Sequence, residues 1–236
     1  GALFGLFTET DTEFTEENAV LTAKSDADGI FFFDDIRFGK WIVKELAPAE
    51  GFVANDTVFP IDVTTDGAVI EINAENRHIY GMVHTTKVDK DYPDNLLAGA
   101  IFEIYMDVDG SKEFNADVDT LVGEMVEYEP GLYELENLRY GGYFLYEKQA
   151  PASYVKDDAY HYFAIVNDGE MVEVENEAGI GFINNHMVGN LKIVKSSSDG
   201  RVEGFSFRVT GEVYDEVFKT DANGEIFIEG LRIGKY

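Results

Sequence analysis

Cysteine is absent from the 236-residue chain, which excludes a disulfide framework and any thiolate nucleophile or ligand. Cations are scarce: 18 Lys and Arg stand against 46 Asp and Glu, a formal net charge of −28. Such a polyanion repels nucleic acid and anionic membranes, because it has too few cations to neutralise phosphates. No segment approaches the roughly 18 consecutive apolar residues of a membrane helix, so membrane insertion is not expected of this stretch. A secretory leader is also missing, since Gly1-Ala2-Leu3-Phe4 has neither a charged start nor a long apolar run. The chain opens as though in mid-strand and breaks off in the alternating run Leu231–Tyr236, so it reads as cut at both ends.

Chemical motifs are sparse too. There is no Gly-rich phosphate loop, nucleophile elbow or Ser-His-Asp arrangement, which disfavours the familiar enzyme classes. His78, His84, His161 and His186 are scattered without metal-ligand spacing, so no metal site is assigned to them. The acidic stretch from Asp107 to Asp119 lacks the glycine and glutamate positions of an EF-hand loop and reads as a solvated acidic loop. No cofactor is expected.

What the chain does have is apolar and aromatic content, 45% and 14% of residues, with 18 Phe and 13 Tyr. That is enough for a packed core despite the charge, and aromatic and β-branched residues favour strands. Period-two alternation in Val83–Val88 and Tyr160–Val166, with turn clusters such as Asn167-Asp168-Gly169 between runs, predicts short strands throughout.

The main signal is repetition. Gly1–Phe7, Gly99–Tyr105 and Gly204–Val209 share an alternating pattern opening on glycine. Gly29–Trp41, Gly131–Tyr143 and Gly224–Tyr236 each carry a strand-like run, then an aliphatic-Arg pair: Ile36-Arg37, Leu138-Arg139, Leu231-Arg232. Trp41, Tyr143 and Tyr236 align and read as core residues. Glu45-Leu46-Ala47-Pro48 pairs with Glu147-Lys148-Gln149-Ala150-Pro151, and Gly81–Lys87 with Gly189–Lys195. Lys87 and Lys195 stand 108 residues apart. The predicted organisation is the later part of one repeat (1–80), a complete repeat (81–188) and the opening of a third (189–236). About seven strands per hundred residues predicts tandem all-β sandwiches.

The ordered combination of a first-strand Lys87, Leu97-x-Gly99-Ala100-x-Phe102, Tyr143-x-x-x-Glu147-x-x-Ala150-Pro151 and Asn184 before Gly189 resembles the collagen-adhesin B-type (CnaB), or SpaA-like, prealbumin-fold pilin domains of Gram-positive surface proteins. The resemblance implies Ig-like or prealbumin-like sandwiches in structural stalk repeats of a secreted cell-wall adhesin or pilin. Neighbouring repeats would be partners, with host matrix protein or glycan engaged through other domains. Two other readings stand beside it: a matrix- or glycan-binding module, and an accessory β-domain of a larger secreted enzyme.

In many members of that family a first-strand Lys and a last-strand Asn join in an isopeptide bond promoted by an internal Glu. Carried over, the complete repeat offers Lys87, Glu147 and Asn184, with Asn185 as a substitute for Asn184. The first repeat retains Glu45 and Asn76, and the third retains Lys195. Burial would favour the neutral amine that the attack requires, and Phe102, Tyr143, Phe144 and Phe182 are candidates for the apolar shell. The bond would close a loop of 97 residues, which by analogy with a disulfide contributes about 4–5 kcal/mol. It would take the place of the missing disulfides.

Overall fold

A computed structural model describes all 236 residues. Every regular element is a strand, as the alternation predicts, and no helix is long and apolar enough to cross a membrane. The eighteen strands fall into three groups that follow one another along the chain.

The first group is one antiparallel sheet, in the order β2-β1-β3-β4. Its strands are β1 (Leu3–Thr8), β2 (Leu21–Lys24), β3 (Gly39–Ala47) and β4 (Val58–Val63). Phe4, Leu6 and Val43 pack its core with the loop residues Phe31 and Phe33, and Phe4 stacks on Phe31 at 4.0 Å.

The middle group is a two-sheet sandwich. One sheet runs β12-β10-β6-β7 and comprises β6 (Ile101–Met106), β7 (Thr120–Glu124), β10 (Gly141–Gln149) and β12 (Tyr160–Ile165). The other runs β11-β14-β5-β9-β8, from β5 (Tyr80–Asp89), β8 (Val126–Glu129), β9 (Leu132–Arg139), β11 (Tyr154–Val155) and β14 (Phe182–His186), while β13 (Met171–Glu173) also pairs with β5. Inward positions of both sheets, among them Val83, Phe102, Ile104, Leu145, Ile165 and Phe182, form the largest core cluster. Burying each such side chain contributes about 1.5–3 kcal/mol.

The sites of first and last strands are set by register. β14 lies parallel to β5, with Phe182 opposite Lys87 and Asn184 opposite Asp89. Entry of the chain at Tyr80 and exit at His186 are therefore at opposite ends of a paired strand couple. Gly181 turns the chain into β14 at φ 124°, and a Cβ there would lie 2.7 Å from the Thr86 carbonyl. Only glycine fits both conditions.

The last group holds two ladders, β15 (Val188–Val194) with β18 (Glu225–Arg232) and β16 (Ser206–Thr210) with β17 (Asp215–Lys219).

The motif Arg-x-Gly-x-aromatic has a structural reason. Trp41 Nε1 donates to the Arg37 carbonyl at 2.9 Å, Tyr143 Oη to that of Arg139 at 2.8 Å, and Tyr236 Oη to that of Arg232 at 2.9 Å. In each group one ring closes the same corner and its polar tip finds a backbone acceptor. Tyr143 is buried, but Tyr236 is exposed rather than a core residue, because no further strand of its group covers that ring. Trp41 is half-buried against the first core, as expected of a core residue.

Two predictions need amendment. Asp107 and Asp119 are buried rather than solvated. Their carboxylates accept from the backbone N–H groups of Ser111, Lys112, Val108 and Asn115, which folds the acidic loop on itself. Phe114 from this loop stacks on Tyr160 at 3.6 Å and meets Phe144 edge-on at 5.7 Å. Phe144 therefore covers the outer face of its sheet, because alternation on β10 sends Tyr143, Leu145 and Glu147 inward and Phe144 outward.

Junctions between groups are built twice in the same way. Phe52 packs tilted against His78 at 4.3 Å, and Tyr154 likewise against His186 at 4.4 Å. The Ile79 N–H donates to Gly51 O and the Met187 N–H to Ser153 O. The Tyr140 N–H donates to Ile79 O and the Ile233 N–H to Met187 O. His78 and His186 stand 108 residues apart.

Candidate functional site

Three strands deliver the central side chains of the middle group. Lys87 comes from β5, Asn184 from neighbouring β14, and Glu147 from β10 in the facing sheet. Lys87 and Glu147 are fully buried and Asn184 is 3% exposed. Asn185 is exposed, because adjacent strand residues point to opposite faces.

Lys87 Nζ lies 3.5 Å from Glu147 Oε1 and donates to the Phe182 carbonyl at 2.8 Å. It also sits 5.1 Å from the Phe182 ring centre, and Phe102 packs edge-on against that ring at 5.0 Å. Asn184 Nδ2 donates to Glu147 Oε2 at 2.9 Å and to the Ile183 carbonyl at 3.1 Å. The Asp157 N–H donates to the same Glu147 oxygen at 2.7 Å. Glu147 thus turns one oxygen toward the amine and the other toward the carboxamide.

The set is electrostatically poised. Burial pushes the Lys87 amine down to about 8, against the opposing pull of the Glu147 and Asp157 carboxylates. Glu147 Oε1 and Asn184 Oδ1 are buried acceptors with no hydrogen-bond donor, a condition that costs about 1–3 kcal/mol for each such group.

The first group repeats two thirds of this geometry. Glu45 is buried, and its Oε2 accepts from Asn76 Nδ2 at 2.9 Å and from the Asn55 N–H at 2.5 Å. Its Oε1 is orphaned like that of Glu147. In the last group Lys195 is half-buried, 4.7 Å from the Phe205 ring centre, and donates to the Ser196 carbonyl with no carboxylate beside it.

Sequence reasoning passed over Asp157, His161 and Asn176. Asp157 Oδ2 accepts from Asn176 Nδ2 at 2.8 Å and lies 2.9 Å from His161 Nε2. Burial would raise this carboxyl, but the Asn176, Ala159 and His161 contacts outweigh it and hold the group below the usual range. One signal was available: Asn55 follows Glu45 by ten residues, as Asp157 follows Glu147. No comparable pattern marks Asn176.

Two sheets around a single core, with the first and last strands side by side, define a prealbumin-like sandwich. A model of the SpaA prealbumin-like fold domain matches residues 1–78 and again residues 81–178, and the chain belongs to that family. Among solved structures it is similar to the Bacillus anthracis TIE protein, with a TM-score of 0.72 and 24% identity over 98% of this chain. The chain spans 40% of the length of that protein. It is also similar to a streptococcal ancillary pilin (TM-score 0.36, 17% identity, 86% of this chain and 67% of that one). A further similarity is to BcpA, the major pilin subunit of Bacillus cereus (TM-score 0.37, 24% identity, 48% of this chain and 31% of that one). No curated protein matches the chain.

Proposed function

We propose that the chain is a load-bearing stalk segment of a Gram-positive cell-surface adhesin or pilin, divided into tandem domains at about residues 1–80, 81–188 and 189–236. Its middle domain locks itself by joining Lys87 to Asn184. The observation that carries this reading is the buried Lys87–Glu147–Asn184 set, which spans the strands where the chain enters and leaves the sandwich.

The Lys87 ammonium passes a proton to Glu147, 3.5 Å away, and the neutral amine attacks the Asn184 carboxamide carbon. Protonation turns an orphaned acceptor of Glu147 into a donor, which polarises the carbonyl as negative charge develops on it. The new C–N bond forms as the Cγ–Nδ2 bond breaks. The lysine nitrogen gives up two of its three protons in all. One goes to the departing nitrogen, which leaves as ammonia, and the other stays on Glu147. Fixed geometry and a dry site take the place of a cofactor in this reaction.

Glu45 and Asn76 form the matching part of such a site in the first domain. Lys195 is the corresponding first-strand lysine of the third.

Intact-mass spectrometry tests the reading. The wild-type chain is expected to weigh one ammonia less than its sequence, about 17 Da, and Glu147→Ala to retain that mass. A wild-type mass equal to that of the sequence would overturn the bond.

A further inference from the structure

Residue Ile183, which immediately precedes Asn184, is gripped by a side chain. Asn176 Oδ1 accepts from the Ile183 N–H at 2.7 Å, and Asn176 Nδ2 donates to the Ile183 carbonyl at 3.0 Å. The same Nδ2 donates to Asp157 Oδ2 at 2.8 Å. Asp157 in turn presents its backbone N–H to Glu147 Oε2 at 2.7 Å. A continuous path of hydrogen bonds therefore joins the strand carrying Asn184 to the carboxyl that faces it.

The first group makes the same connection with different parts. Asn55, the counterpart of Asp157, gives its N–H to Glu45 Oε2 at 2.5 Å. Its side-chain Nδ2 donates to the Glu75 carbonyl at 2.9 Å, and Glu75 immediately precedes Asn76. One residue thus spans the gap directly where the middle group uses two. A link rebuilt in two ways between the same two points is a constraint on those points rather than an incident of one loop.

We infer that Asp157 and Asn176 are positioning residues that set the Asn184 carboxamide against Glu147, and that Asn55 does the same for Asn76 and Glu45. The inference rests on the Lys87–Asn184 reading above. Neither side chain touches the lysine amine, and their action is to fix Ile183 and the Asp157 backbone. Holding reacting groups in register is worth large factors in rate, and sub-ångström slack loses them. His161 completes the surroundings of Asp157 without touching Ile183.

The test is the rate of ammonia loss in the full 236-residue chain, made by cell-free translation, quenched in acid at intervals and weighed. Asn176→Ala and Asp157→Ala are expected to slow the step about tenfold or more. Asp157→Asn, which keeps an acceptor for Asn176 and places in this site the residue found at position 55, is expected to stay within about threefold of wild type. A purely structural role would leave bond formation as fast as wild type in every chain that folds, as judged by near-ultraviolet circular dichroism. Should Asn176→Ala fail to fold, the Asp157→Ala and Asp157→Asn pair decides the matter. Wild-type rates in a folded Asn176→Ala chain, or equal rates in the two Asp157 variants, overturn the positioning role alone. A wild-type chain that never loses ammonia overturns the isopeptide reading and this one with it.

Discussion

Lys87 carries an unusual burden for a side chain with no solvent exposure. An ammonium is strongly hydrated, and removing that hydration favours the neutral amine. The folded environment lowers the group from 10.5 to about 8, with desolvation as the largest cause. Near neutral pH the unreacted chain therefore stores a partly paired buried charge, which the proposed bond would remove. An Asn184→Ala chain cannot form the bond and exposes the linkage. Between pH 8 and 10.5 its unfolded state holds a proton that its folded state has released. Its stability in urea should accordingly rise with pH across that window. A Lys87→Met/Asn184→Ala chain should show no such rise. A flat or falling profile for Asn184→Ala would contradict the buried-amine account.

At the scale of elements, the proposed reaction depends on how β14 is brought beside β5. Gly181 makes that approach possible at φ 124°, where a Cβ would lie 2.7 Å from the Thr86 carbonyl oxygen. Gly181→Ala should cost about 1–3 kcal/mol through backbone strain and contact, read as a lower urea midpoint in the Asn184→Ala background. An unchanged midpoint would show that β14 docks by another route. Much of this arrangement was legible beforehand. Alternation and turn residues announced the strands, and the resemblance to SpaA-like domains nominated Lys87, Glu147 and Asn184, which the fold assembles in one dry place. The legible part is local or repeated, because period and recurrence survive in one dimension. The outward turn of Phe144 was also readable from the alternation on β10, since it is one residue out of phase with Tyr143 and Glu147. Asn176 was not readable: its partners Ile183 and Asp157 lie on separate segments, and only the folded chain sets them together. The burial of Asp107 and Asp119 escaped for a related reason, since their partners are backbone N–H groups that leave no residue pattern.

Across the whole molecule, the two junctions are built alike. Phe52–His78 and Tyr154–His186 pack at nearly the same distance and tilt, and the flanking backbone bonds recur at equivalent residues. Side chains then reinforce each junction separately. Arg77 grips Asp168 through both guanidinium nitrogens, at 2.7 and 2.5 Å, and Arg232 reaches Asp91 at 2.7 Å. Repetition of one junction sets successive groups in equivalent contacts, as the proposed load-bearing segment requires. Because β5 and β14 run parallel, tension applied at Tyr80 and His186 loads them lengthwise, and a bond from Lys87 to Asn184 would carry it past residues 88–183. Pulling single molecules from their ends is the most direct measurement of this claim. In Glu147→Ala the middle domain should unfold and release its 97-residue span, about 30 nm of chain. In the wild type that release should be missing at every force short of covalent rupture. A wild-type chain that yields the same 30 nm step as Glu147→Ala, set by that same span, would contradict the load-bearing clasp.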